Sequence, residues 1–69
     1  MKYILVESST INAVKHDNTN QKLIIRFTSG SEYEYDGVGM AQFYEFLEAP
    51  SQGRYFAEHF KQLPTRKLK

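Results

Sequence analysis

The sequence contains no cysteine, which excludes disulfide bonds and thiolate metal sites and makes a cytosolic setting the expectation. It contains no tryptophan either, so five tyrosines and five phenylalanines supply most of the large apolar mass. Long hydrophobic runs are missing: the apolar stretch near the start, Tyr3-Ile-Leu-Val6, is far too short to span a bilayer or act as a secretory signal. No membrane association and no targeting segment are therefore expected. Internal repeats and low-complexity tracts are also lacking. What is present is 69 residues, one small domain near the lower limit for a single hydrophobic core. A chain of this size hides only about 60% of the surface its unfolded form exposes. Modest stability, or its supplementation in a homo-oligomer, is the corresponding expectation.

Net charge is only +1, but the charge is unevenly spread. Residues 1–49 carry four cationic side chains against seven acidic ones, a net of −3, whereas residues 50–69 carry five against one, a net of +4. The skew is compatible with an anionic partner and too mild to require nucleic acid. A solvated face and a basic tail at Arg66–Lys69 are the simpler account of it.

The stretch Leu23–Tyr35 organises the chain. Leu23, Ile25 and Phe27 alternate with Ile24 and Arg26, Thr28-Ser-Gly-Ser31 supplies a turn, and Tyr33 and Tyr35 alternate with Glu32, Glu34 and Asp36. Period-2 patterning of this kind predicts a β-hairpin with one face towards a core. Upstream, Ile11–His16 predicts a strand in which either Ile11 and Ala13 or Asn12 and Val14 face inward, joined to the hairpin by the turn Asp17-Asn-Thr-Asn20. A short edge strand within Met1–Glu7 would be a fourth. From Val38 the period changes: Met40, Phe43, Tyr44, Phe46 and Leu47 mark the inner face of a helix closed by Ala49-Pro50. Ser51 is placed to cap a second helix, whose inner face is marked by Tyr55, Phe56, His59, Phe60 and Leu63 and which Pro64 ends. Strands in sequence followed by helices in sequence predict an α+β fold, an antiparallel meander of three to four strands with two short helices packed on one face. The domain is read as residues 1–65, with 66–69 as its tail.

Catalytic raw material is thin. Neither His16 nor His59 has the spacing of a nucleophile–base pair, and His16 and Asp17, as adjacent strand residues, point to opposite faces. Two distant histidines without an acidic ligand at helical spacing give no metal site. Glu32, Glu34 and Asp36 form an acidic stripe opposite Lys22 and Arg26, for which cross-strand ion pairs are the simple account. No cofactor and no enzymatic activity are expected. Binding is better supplied. Ser51-x-Gly53 opens a helix, where unpaired N–H groups and the positive end of the dipole favour phosphate, and Arg54 and Lys61 add cationic donors. Tyr33, Tyr35 and Tyr55 are candidate aromatic contacts for bases, unless the first two lie beneath the helices as core.

Taken in order, Ser9-x-Ile11, Val14, Asp17, Leu23-x-Ile25-x-Phe27, Gly30, Tyr33-x-Tyr35, Val38, Tyr44, Leu47 and Ala49-x-Ser51-x-Gly53-x-Tyr55-Phe56 resemble the KTSC domain family. That family is named for the C-terminus of some lysyl-tRNA synthetases and also occurs as free-standing small bacterial and phage proteins. The resemblance runs from about Ser8 to Leu63. His16 stands where the family often has tyrosine, and Gly39 where proline commonly follows valine. The resemblance implies no catalytic constellation, and it implies RNA binding, with Tyr33, Tyr35, Ser51, Gly53 and Tyr55 as the matching motif residues. The leading expectation is a non-enzymatic module for RNA or a small anionic nucleotide. Two alternatives stand beside it: a phage-encoded sponge that oligomerises to sequester a nucleotide signal of host defence, and a protein-interaction domain.

Overall fold

The computed structural model describes residues 3–69. It contains strands β1 (Ile4–Leu5), β2 (Ile11–Asp17), β3 (Lys22–Phe27) and β4 (Glu32–Asp36), helices α1 (Met40–Glu48) and α2 (Gln52–His59), and a fifth strand, β5 (Thr65–Lys67). The strands form one antiparallel sheet in the order β1-β2-β3-β4-β5. The α+β architecture is the expected one, with one strand more. That strand occupies what sequence suggested as a frayed tail: Thr65, Arg66 and Lys67 pair with Tyr35, Glu34 and Tyr33, and Leu68 and Lys69 bond the backbone of Glu32. The expected first strand is reduced to Ile4–Leu5, and residues 1 and 2 lie outside the described residues.

The ambiguity in β2 is resolved by a bulge. Ile11 pairs with Phe27 but Ala13 pairs with Arg26, so Asn12 is the extra residue and the inward parity changes across it. Ile11 and Val14 consequently both face the helices, whereas Ala13 is buried on the opposite face. Neither simple alternation is correct, because a strict period of two does not survive a bulge.

The helix-facing side carries Ile11, Val14, Leu23, Ile25 and Tyr35, which meet Val38, Phe43, Phe46 and Phe60 in one buried cluster. Phe56 packs edge-on against both Phe27 and Tyr35, with ring centroids 5.7 and 5.2 Å apart. His16 belongs to this layer as well. Its Nε2 lies 2.7 Å from the Val38 carbonyl oxygen and therefore carries the proton, while the ring stacks on Phe43 at 4.7 Å. His16 thus ties β2 to the loop that leads into α1. Two apolar expectations fail: Tyr44 is 56% exposed and His59 is exposed, since each lies at the outer margin of its helix. The second helix also ends at His59, several residues before Pro64.

The other side of the sheet is a ladder of ion pairs. Lys22 meets Asp36 at 3.4 Å, Arg26 meets Glu32 at 3.6 Å, and Arg66 from β5 meets Glu34 at 2.7 Å. Tyr3 lies across this face, its ring 4.0 Å from the Arg26 guanidinium and its hydroxyl donating to Glu32 at 2.7 Å. That hydrogen bond is the main reason the Glu32 carboxyl sits below the usual carboxylate range.

Where β4 leaves the sheet, Gly37 has φ of +91° and its N–H donates to the Gln21 carbonyl oxygen at 2.9 Å. A side chain would meet no neighbour there, so conformation alone sets the cost of replacing it. Gly37→Ala is expected to lose about 1–2 kcal/mol, read from the urea midpoint, because L-residues are disfavoured at positive φ.

Candidate functional site

Residues of Ser51-x-Gly53-Arg54 come together at the start of α2, but not with all of their expected companions. Ser51 has extended backbone geometry and its Oγ accepts a hydrogen bond from the Arg54 N–H at 3.2 Å, the N-cap that the sequence predicts. Gln52 turns back and donates through Nε2 to the Leu47 carbonyl oxygen, fixing α2 against the end of α1. Facing this helix start is the loop Ser8-Ser9-Thr10 between β1 and β2. Ser8 Oγ accepts from the N–H groups of Thr10 and Ile11, both at 3.2 Å. The two serine-capped turns, with Glu7 and Pro50, line a groove of about 390 Å³. Both serine oxygens act as acceptors within their own turns, which leaves each hydroxyl hydrogen free to donate outward.

The other named residues lie elsewhere. Arg54 lines the groove, but its guanidinium also pairs with Glu58 at 3.8 Å, an exposed i,i+4 contact of little energetic weight. Lys61 is exposed beyond the opposite end of α2 and does not reach the groove. Tyr33 and Tyr35 face the helices: Tyr35 is only 5% exposed, and Tyr33 sits edge-on to Phe27 at 5.9 Å. Burial pushes the Tyr35 phenol up to about 12, with the Tyr33 charge a smaller contribution. Tyr35 is therefore scaffold, with no open ring face for stacking, and Tyr33 is partly buried at the edge of the same core.

Tyr55 stands between the two cases. Its ring is half-buried against Phe46 and Phe60, and its hydroxyl donates to Glu45 Oε1 at 3.2 Å. Burial first, and then the Glu45 hydrogen bond and charge, raise its phenol above the ordinary tyrosine value. Among the described residues there is no cluster of three or more potential metal ligands, and no helix is long and apolar enough to cross a membrane.

A five-stranded antiparallel sheet backed by two short helices, with a polar groove where the first interstrand loop meets a helix start, defines a small α+β domain. Residues 7–63 match the KTSC domain, and the chain belongs to that family. An uncharacterized protein of Stutzerimonas stutzeri is 36% identical over 61 residues, covering 88% of this chain and 86% of that one. A lysine–tRNA ligase of Nostoc sp. is 42% identical over 55 residues, which cover 80% of this chain but only 10% of the ligase. The crystal structure of a KTSC domain protein from Yersinia pestis superposes with a TM-score of 0.93 at 32% identity, covering 99% of this chain and 97% of that one.

Proposed function

We propose that the chain is a non-enzymatic binding module that takes a phosphate-bearing nucleotide, free or as part of an RNA strand, in the groove between Ser8–Thr10 and the start of α2. The observation that carries this reading is Gly53. Glycine is a poorer helix residue than alanine, and at Gly53, in the first turn of α2, neither backbone conformation nor a close contact requires it. Its φ is not positive, and a Cβ would lie 3.7 Å from Ser8 Oγ, an ordinary contact. Bare backbone at a helix start is, however, what allows an anion to come close to the N–H groups there. The ligase relatives act on tRNA by name, which favours an RNA-borne phosphate. The ion pairing of Lys22, Arg26 and Arg66 favours a short ligand or a strand end over a long polyanion track.

Titration of the amide spectrum with ATP, and separately with a short 5′-phosphorylated single-stranded RNA at low salt, is expected to shift Ser8, Thr10, Gln52 and Gly53. Gly53→Ala is expected to fold as well as the parent or better, yet to bind at least about 10-fold more weakly, the loss of one charge-assisted contact. Ser51→Ala is expected to cost about 1 kcal/mol of stability as well, through the lost cap. Unchanged affinity in a folded Gly53→Ala variant, or silence of these amides with both ligands, would remove the site.

A further inference from the structure

On the other flank of Pro50 a second groove, of about 450 Å³, runs along the junction of the two helices, lined by Glu45, Glu48, Ala49, Pro50, Tyr55 and His59. Its floor is mostly apolar, formed by Ala49, Pro50 and the Tyr55 ring, on whose other neighbour, His59, the ring centroids are 4.2 Å apart. Its electrostatics are one-sided. Glu45 and Glu48 lie at i and i+3 in the last turn of α1, where the backbone dipole already presents its negative end and where cations are the favoured occupants. That turn contains no basic residue, and among the described residues neither carboxylate is ion-paired, although Lys22, Arg26, Arg54 and Arg66 pair with other acids. Tyr55 donates its hydroxyl to Glu45, holding one carboxylate at the groove wall.

We propose that this groove docks a basic side chain, arginine or lysine, presented by an extended segment of a partner protein. The shape selects this occupant over a compact cation. A long aliphatic stem can lie on Ala49, Pro50 and the Tyr55 ring while its charged head reaches the two carboxylates, the division that Arg and Lys make wherever they cover apolar surface. The groove is shallow and open to solvent, so a side chain projecting from a partner segment can enter it without any rearrangement of the helices. The same arrangement explains two acids kept at the wrong end of a helix: they destabilise the free protein slightly and are neutralised on binding.

The test uses the whole chain with the capped peptide acetyl-Gly-Leu-Arg-Leu-Gly-amide, its counterpart with neutral citrulline in place of arginine, and spermidine. The arginine peptide is expected to shift the amides of Glu45, Glu48, Tyr55 and His59. Binding is expected to weaken at least about 10-fold with citrulline or in the E45Q/E48Q variant, since either leaves a charge without its counterpart. Because both glutamates are exposed, E45Q/E48Q is expected to stay folded with an unchanged or raised melting temperature, which separates lost binding from lost structure. The proposal is overturned if the peptide leaves these amides unmoved, if citrulline or spermidine shifts them as strongly, or if they move with protein concentration alone, which would make a second copy the occupant. None of these outcomes bears on Gly53, so this groove and the nucleotide groove stand or fall separately.

Discussion

Phe46→Ala is expected to leave the protein close to its unfolding threshold at 25 °C. Phe46 is fully buried on α1 and packs against α2 and its C-cap residue, with ring centroids 6.0 Å from Tyr55 and 5.6 Å from Phe60. Removing a buried phenylalanine side chain costs about 3–5 kcal/mol, the lost transfer energy plus the cavity left behind. At roughly 0.05–0.15 kcal/mol per residue, a chain of this length has a total stability of similar size. Urea unfolding followed by circular dichroism should therefore show a pre-transition baseline that is short or missing. Tyr44→Ala, two residues away on the exposed margin of the same helix, is the control and should stay within about 0.5 kcal/mol of the parent. Equal losses in the two variants would mean that α1 is not seated as described.

Alkaline pH should unfold the protein through Tyr35. Its phenol, ordinarily near 10, is raised to about 12 by burial, so the folded chain holds this proton where the unfolded chain releases it. Between these values the unfolded state binds fewer protons than the folded one, and stability falls as pH rises. The contribution is intact below pH 10 and is lost progressively towards pH 12, a total of about 3 kcal/mol for a shift of two units. The urea midpoint measured from pH 8 to 12 should show this decline, and Tyr35→Phe should flatten it. Tyr3 and Tyr55 are raised in the same direction by burial and by their carboxylate partners, so a residual slope belongs to them. An alkaline decline as steep in Tyr35→Phe as in the parent would remove Tyr35 as its source.

The legible parts of the fold were those governed by local pattern. The β3–β4 hairpin follows from the alternation of Leu23, Ile25 and Phe27 with Ile24 and Arg26 and of Tyr33 and Tyr35 with acidic residues, and its register pairs Leu23 with Tyr35 and Ile25 with Tyr33. The turn after Asp17 is read from the residue chemistry, and Asp17 indeed accepts from both the N–H and the side-chain amide of Asn20. Two features were hidden for physical reasons. Thr65-Arg-Lys67 has no apolar alternation, because an edge strand whose outward face is wet needs none and charge there discourages further pairing. The bulge at Asn12 breaks the alternation by which the inward face of β2 would be read. At the candidate groove, Ser51 was legible because a cap is a local device. Ser8–Thr10 was not, because it meets Gly53 only through the fold.

Strand order in the sheet is also strand order in the chain, and only the β4–β5 step has anything but a short connection. Sheets built from consecutive pairings have mostly short sequence separations between contacting residues, the property that correlates with rapid folding. The three N-terminal pairings can form by closing loops of a few residues each, whereas β5 can dock only after a loop that includes both helices has closed. Kinetically this divides the molecule at Asp36. Substitutions in the β2–β3–β4 meander should slow refolding, and substitutions in β5 should chiefly hasten unfolding.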